Sequence, residues 1–249
     1  RVLHMLRTRD VTLELEAAAD RILGHIAGAT AMIREASTHA GSRTAGVSSL
    51  PSSATWDGVR WSGTGWIVSP RVVLTAGHVV FPREIKRYPD VVRVIPGADG
   101  DRAPLGWFYA ERVHAHPAWQ SEAETLHDLG AIILGPSVDL SRVTGQLGVR
   151  TLSVSEAGRT AIFLAGYPAS KRRYTMWQQQ RVAQSIDEDY ISYTIDTSVG
   201  QSGSPVWVYE WDGSYVVGIH TQGTLVSNFA IRIDESLNGQ IARWLERYR

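Results

Sequence analysis

From residue 58 to residue 233 the sequence is divided into short runs rich in valine, isoleucine, tryptophan and tyrosine, separated by glycine, proline or aspartate turns. Such runs are typical of β-strands, because branched and aromatic side chains pack well on a pleated surface. Strands are predicted over 59–68, 71–76, 91–95, 105–113 and 129–134, and over 160–165, 174–184, 190–195, 205–209, 214–219 and 229–233. Two sets of about six short strands predict an all-β fold of two antiparallel six-stranded β-barrels, joined across residues 135–158.

Both ends of the chain are predicted to be helical. Asp10 can cap a helix over 10–36, in which apolar residues recur at spacings of three and four. Residues 37–57 are rich in small polar residues and predict a linker or strap, and residues 234–249 predict a closing helix. The domains expected are an N-terminal helix and strap over 1–57, a first barrel over 58–145, and a second barrel with the closing helix over 146–249.

Composition excludes several classes of partner and cofactor. The 25 basic residues balance the 25 acidic ones, so nothing indicates a nucleic-acid partner. No apolar run approaches the ~20 residues of a membrane span, so no membrane partner is predicted. The chain contains no cysteine, which excludes thiol catalysis and disulfides, and it has no paired histidine and carboxylate spacing of a metal site. We therefore predict neither a metal nor another cofactor.

Three separate segments carry residues of nucleophilic catalysis. His78 follows an apolar strand, Asp128 opens another, and Ser202 lies in the segment Gly200-Gln201-Ser202-Gly203-Ser204-Pro205. Each residue alone is commonly structural, but the chain order His, Asp, Ser is that of a chymotrypsin-type triad. The pattern predicts Ser202 as nucleophile, His78 as base and Asp128 as the group that orients the base. The main-chain N–H groups of Gly200 and Ser202 are the expected oxyanion donors.

Three further histidines could compete for the role of base. His127 is next to Asp128, and His114 and His116 precede Pro117. We interpret all three as loop residues rather than catalytic ones.

The second half of the chain resembles a known group of enzymes. Its ordered motifs are Gly166-Tyr167-Pro168, Lys171, Thr175-Met176-Trp177, Ile195-Asp196-Thr197, Gly200 to Val206, Val217-Gly218-Ile219-His220-Thr221 and Ile231-Arg232-Ile233. From about Gly63 to Ile233 the chain is similar to the glutamyl endopeptidases of the chymotrypsin superfamily, a group that includes the staphylococcal exfoliative toxins. The resemblance implies a chymotrypsin-like fold, a protein or peptide substrate, and cleavage after glutamate or, less often, aspartate.

The resemblance also implies a specificity pocket. Thr197 and His220 stand where the group recognises the substrate carboxylate, and a histidine there would act best when protonated or donating a hydrogen bond. The residues Thr221, Gln222 and Gly223 would pair with the substrate main chain. Asp196, six residues before Ser202, leaves a preference for basic side chains open. A secreted protein is favoured, although a cytoplasmic domain of a larger protein stays possible.

Two alternatives to an active glutamyl peptidase remain open. The chain could be a latent or differently specific trypsin-like protease domain of a larger regulated protein, or a non-catalytic binding module on the same fold. The helix over 10–36 could be a pro-segment, a regulatory cover or the contact to a regulatory partner, and an amphipathic helix packed on the barrel is an equally good interpretation. The basic residues Lys171, Arg172 and Arg173 could supply positive charge near the pocket, but a solvated loop is the simpler interpretation.

Overall fold

The computed structural model describes residues 29–35, 55–56, 59–60, 62–122, 124–142, 144–156, 159–224 and 226–249. Nearly all of these residues belong to two β-sheets and the turns between their strands, with a helix at the carboxyl end.

The first sheet is a closed barrel of six strands in the order β1-β4-β5-β8-β7-β6. Its strands are β1 (Thr30–Glu35), β4 (Ser62–Ile67), β5 (Val72–Thr75), β6 (Val92–Pro96), β7 (Phe108–Ala115) and β8 (Gly130–Leu134), and a separate pair is formed by β2 (Thr55–Trp56) and β3 (Val59–Arg60). All pairings in the barrel are antiparallel. The strands β5 and β8 are fully buried, because side chains on one face fill the barrel and those on the other pack beneath neighbouring elements.

The second sheet has eight strands, which follow the order β11-β10-β14-β15-β16-β13-β12 with β9 beside β15. Their bounds are β9 (Gly148–Val149), β10 (Ala161–Gly166), β11 (Trp177–Val182), β12 (Ser185–Ile186), β13 (Tyr190–Tyr193), β14 (Pro205–Glu210), β15 (Gly213–Gly223) and β16 (Asn228–Arg232). Only the pairing of β9 with β15 is parallel. A cluster that includes Leu164, Ile191 and Val206 forms its core.

Three α-helices are described: α1 (Gly77–Val80), α2 (Pro117–Glu122) and α3 (Glu235–Arg247). Asp234 caps α3 by accepting a hydrogen bond of 2.8 Å from the Leu237 N–H, as expected for a helix that begins with an aspartate. The buried face of α3 carries Leu237, Ile241 and Trp244, and Leu245 is only partly buried.

The predicted all-β fold of two antiparallel units with a closing helix is confirmed, and each predicted strand overlaps an observed one. The second unit differs from the prediction in having eight strands rather than six. The helix predicted over 10–36 is wrong over residues 30–35, which form strand β1. Its first part, 10–28, and the strap over 37–54 lie outside the described residues. Strand β1 pairs with both β4 and β6, so it closes the barrel, and this pairing outweighs a helical apolar spacing.

Candidate active site

His78 lies in α1, a single helical turn that directly follows strand β5. Glycine before the histidine keeps this turn uncrowded, because a Cβ at Gly77 would lie only 3.0 Å from Asp128 Oδ1 and from the Trp119 ring. The short helix therefore brings the imidazole against the strand that neighbours β5 in the barrel, which is β8.

Asp128 lies two residues before that neighbouring strand and is buried, with 3% of its surface exposed. Its Oδ2 is 2.6 Å from His78 Nδ1, and its Oδ1 accepts the His78 main-chain N–H at 2.7 Å. Two hydrogen bonds from one residue fix both the position and the tautomer of the ring, with Nδ1 carrying the proton toward the carboxylate. The structure thus brings the predicted base and its orienting carboxylate into contact.

The environment of His78 changes its basicity in two opposing ways. Burial lowers the pKa of the imidazole, but the charge of Asp128 and the hydrogen bond to it raise the pKa by more, so the net pKa lies above the ordinary value of 6.5. The imidazolium form is therefore stabilised, as a group that must take up a proton during a reaction requires.

Ser202 lies in the turn that precedes β14, and we call residues 198–204 the serine loop. Gly200 and Gly203 both adopt positive φ angles, +95° and +81°. The Ser202 carbonyl accepts the Thr64 N–H at 2.9 Å, and a Cβ at Gly63 would touch both that carbonyl oxygen and the side chain of Val79. The serine loop therefore packs against strand β4 of the first barrel, and β4 also contacts Val79, the residue after His78.

Two further carbonyl groups of the serine loop accept hydrogen bonds from main-chain N–H groups. The Val199 carbonyl accepts the Ala169 N–H at 2.8 Å, and the Gln201 carbonyl accepts the Ser204 N–H at 2.9 Å. In a planar trans peptide the N–H points opposite to the carbonyl. The N–H groups of Gly200 and Ser202 therefore point away from the partners that hold their peptide planes, as oxyanion donors must.

Gly203 is expected to tolerate no side chain. A Cβ there would overlap Thr75 Oγ1 and the Thr64 carbonyl oxygen, in a backbone conformation that L-residues avoid. We expect Gly203→Ala to lower the free energy of unfolding by about 2 kcal/mol or more. Gly239→Ala in α3 is the matched control, because its Cβ would meet only Arg243 Nη1 at 3.9 Å and alanine favours helix by about 0.5–1 kcal/mol. Urea unfolding of both variants measures the difference, and equal stabilities would contradict the strain at Gly203.

The predicted specificity residues Thr197 and His220 differ in their exposure and in their hydrogen-bond partners. Thr197 is half-buried, and its hydroxyl donates to Asn228 Oδ1 at 2.7 Å, while Asn228 Nδ2 donates to the Ile195 carbonyl at 2.7 Å. A Cβ at Gly223 would overlap Asn228 Oδ1 and lie 3.6 Å from Thr197 Oγ1, so glycine at this position leaves room for the Thr197–Asn228 pair. Asn228 was not foreseen, because a lone asparagine at a strand start is an ordinary turn residue in sequence.

His220 is buried on strand β15, three residues before Gly223. Its Nδ1 is 2.8 Å from the Tyr193 hydroxyl, and its ring also hydrogen-bonds the main chain at Phe229. Burial lowers the pKa of His220 to about 4, so the ring is neutral near pH 7. The charged one of the two expected modes is therefore not supported, and the hydrogen bonds described for the His220 ring are to Tyr193 and to the main chain at Phe229.

The remaining charged candidates lie outside the buried region. Asp196 is exposed, and its main-chain N–H donates to Gln179 Oε1 at 3.1 Å. Lys171 is exposed with its Nζ 5.0 Å from the centre of the Trp177 ring, and Arg172 packs over Gly100. Gln201 is buried and its Oε1 accepts the Ser198 N–H at 2.9 Å, which stabilises the serine loop without an ion pair.

Thr221 and Gln222 lie on β15 beyond His220 and line a cleft of about 250 Å³. The other lining residues are His78, Arg83, Glu84, Trp119, Thr125 and Asp128. The cleft therefore connects the end of β15 with the histidine and aspartate of the first barrel.

The three histidines considered as alternative bases, His114, His116 and His127, have other partners. His116 and His127 stack with ring centres 4.3 Å apart, and burial lowers the pKa of His116 to about 4. His114 lies in strand β7 rather than in a loop, and its Nε2 is 2.7 Å from the Tyr248 hydroxyl. Within the described ranges, no group of three or more metal-ligating side chains converges, and no helix is long and apolar enough to cross a membrane.

Residues 63–219 match the family model of the trypsin-like peptidase domain, which is more than half of the chain. The chain belongs to the trypsin-like peptidase family. Among curated proteins, this trypsin-like peptidase is 30% identical to a Bacillus subtilis protein named extracellular metalloprotease and 31% identical to the glutamyl endopeptidase of Bacillus licheniformis. The matches cover 73% and 74% of the chain, but only 57% and 59% of those relatives. The chain thus spans rather more than half the length of the curated relatives.

A solved structure of Glu endopeptidase in complex with MPD has the same fold as this trypsin-like peptidase, with a TM-score of 0.70 and 21% sequence identity. The match covers 87% of this chain and 90% of that one. The chymotrypsin-like architecture inferred from the sequence is therefore confirmed.

Proposed function

We propose that this chain is a serine endopeptidase that cleaves peptide bonds after glutamate or aspartate through an acyl-enzyme. The observation that carries the proposal is the pairing of His78 with buried Asp128, set beside a serine loop whose peptide planes are fixed by hydrogen bonds. A binding module has no need for an oriented base, a buried carboxylate and outward N–H groups in one place.

The arrangement supports the following steps. His78 Nε2 takes the proton of the Ser202 hydroxyl as Oγ attacks the scissile carbonyl, and Asp128 stabilises the resulting imidazolium. The N–H groups of Gly200 and Ser202 bind the tetrahedral oxyanion. The imidazolium then gives its proton to the leaving amine as the C–N bond breaks, and the acyl-enzyme forms. Water, activated by His78 in the same way, releases the acid product and Ser202.

Recognition of an acidic side chain fits the polar groups beside Gly223. A carboxylate that leaves water must accept hydrogen bonds, and the half-buried Thr197 hydroxyl, which donates its one proton to Asn228 Oδ1 in the free protein, would turn that proton to the substrate carboxylate. Tyr193 and the main chain at Phe229 hold the neutral ring of His220 in place. Asp196 is exposed and lines a pocket together with Thr197 and Lys171, so a preference for basic side chains stays the alternative that the specificity test below must exclude.

The proposal also covers the division of the site between the two units, the location of the protein and its regulation. We infer that the first barrel supplies the base and the second sheet the nucleophile, with the active cleft between them. The word extracellular in the name of the Bacillus subtilis relative favours a secreted protein. Residues 1–28 lie outside the described structure, and a regulatory role for them stays a prediction.

A panel of peptides that differ only at the residue before the scissile bond tests the specificity. We expect kcat/KM for glutamate to exceed that for glutamine by about 10²-fold, because hydrogen bonds to a charged group contribute ~1.5–3 kcal/mol. Thr197→Val should reduce this ratio at least about tenfold, since it removes a donor. Thr194→Val is the matched control, an exposed threonine three residues earlier. A preference for lysine or arginine, or a glutamate preference unchanged in Thr197→Val, would contradict the acidic-pocket assignment.

A further inference from the structure

Thr64 lies in strand β4 of the first barrel, is fully buried, and contacts the serine loop of the second sheet across 136 residues of sequence. It belongs to the barrel that carries His78 and Asp128, so it joins the two halves of the site. No motif of the sequence marks it, because Gly63-Thr64-Gly65 is an unremarkable strand segment.

Three hydrogen bonds connect Thr64 to the second sheet. Its hydroxyl donates to the Gly200 carbonyl at 2.8 Å and accepts the Tyr167 N–H at 3.1 Å, and its N–H donates to the Ser202 carbonyl at 2.9 Å. Its own carbonyl accepts the Thr75 hydroxyl at 2.7 Å, which fixes Thr64 within the barrel. Every polar atom of the residue is therefore engaged, and three of the four bonds cross to the second sheet.

These bonds hold two peptide planes that flank the expected oxyanion donors. Gly200 lacks a side chain and has φ +95°, so its backbone is held only by the groups that bind its two neighbouring planes. Ala169 binds the plane before Gly200. The plane after it is held at its carbonyl by Thr64 and at its N–H by the Ser198 carbonyl, to which Gln201 donates at 3.1 Å. The plane that carries the Ser202 N–H then lies between the two carbonyls that Thr64 holds, those of Gly200 and Ser202.

We propose that Thr64 is a positioning residue that fixes the oxyanion donors of Gly200 and Ser202. Thr64 also accepts the Tyr167 N–H and so restrains the segment 167–169. Ala169 of that segment donates its N–H to the Val199 carbonyl. The hydroxyl is the essential part, because it is donor to one segment and acceptor from the other. This inference rests on the proposed peptidase function.

Replacement of the hydroxyl by a methyl group of similar size isolates its role. Thr64→Val leaves the Gly200 carbonyl and the Tyr167 N–H without this partner and retains the main-chain bond to Ser202. We expect kcat to fall about tenfold to a hundredfold, less than the 10²–10³-fold for outright loss of an oxyanion donor, and KM to change less than about threefold. Affinity for a peptide aldehyde, whose adduct with Ser202 carries the oxyanion, should fall by the same factor as kcat.

Thr64→Ser keeps the hydroxyl and should recover activity to within about threefold of the unchanged protein. Thr144→Val is the matched control, because the Thr144 hydroxyl likewise donates to a main-chain carbonyl, that of Leu140. This bond lies on the connection between the two sheets and not at the serine loop. Its kcat and aldehyde affinity should be unchanged. If Thr64→Val does not fold, Thr64→Ala removes the hydroxyl without added bulk and carries the same expectation. Unchanged kcat in a folded variant that lacks the hydroxyl, or a serine variant as impaired as valine, would overturn the proposal.

Amide hydrogen exchange separates a failure of this inference from a failure of the proposed function. Exchange over residues 198–204 should be faster in Thr64→Val than in Thr144→Val, whether or not the protein cleaves peptides. Absence of peptidase activity in the unchanged protein would refute the proposed function alone, and unchanged exchange in Thr64→Val would refute the positioning role alone.

Discussion

Ser202→Ala is expected to lower kcat by about 10⁶-fold while the fold is retained. The substitution removes the only oxygen that can form the acyl-enzyme in the proposed mechanism, and alanine fits wherever serine does. Peptide binding should persist, because the polar groups at Thr197, Asn228 and Gly223 are unchanged. Steady-state cleavage of a glutamyl peptide measures the loss.

The next serine along the loop is the matched control. Ser204 is fully buried, and its hydroxyl has no hydrogen-bond partner among the described residues. Ser204→Ala should therefore leave kcat within about threefold of the unchanged protein, since no bond is lost. A fluorophosphonate probe should label the unchanged protein and Ser204→Ala, but not Ser202→Ala. Labelling that survives in Ser202→Ala would place the nucleophile elsewhere.

Asp128→Asn is expected to lower kcat by about 10⁴-fold and to shift its pH dependence. Asparagine can no longer stabilise the imidazolium, and its amide favours the wrong tautomer of His78. In the unchanged protein His78 must be neutral to act as base, and its pKa is raised, so kcat/KM should rise with pH through a value above 6.5.

The direction of the pH shift follows from the causes of the raised pKa. In Asp128→Asn the charge and hydrogen bond that raise the pKa of His78 are lost, and burial, which lowers it, remains. The acidic limb of the residual activity should therefore move to lower pH. A limb that stays in place, or an unchanged protein whose limb lies below pH 6.5, would contradict the His78–Asp128 assignment.

The strands and the candidate triad could be predicted because their signals are local. Apart from β1, the strands of the barrel are short runs between turn residues, and His78, Asp128 and Ser202 stand at the ends of such runs. The geometry of the serine loop was likewise foreseeable in part, since Gly200 and Gly203 occupy backbone angles that favour glycine.

The errors and omissions concern pairings between distant segments. Residues 30–35 share their apolar spacing with a helix, and only their pairing with β4 and β6 determines that they form a strand. Thr64 and Asn228 acquire their roles from partners 136 and 31 residues away in sequence. The charge of His220 depends on its burial, which a strand pattern cannot reveal.

Cleavage of a mixed peptide library by the unchanged protein and by Ser202→Ala, with the cut sites read by mass spectrometry, tests the central claim most directly. We predict cuts after glutamate and, less often, aspartate, all of which disappear in Ser202→Ala. Cuts that persist in Ser202→Ala, or no cuts by the unchanged protein, would contradict the assignment of this chain as a serine endopeptidase.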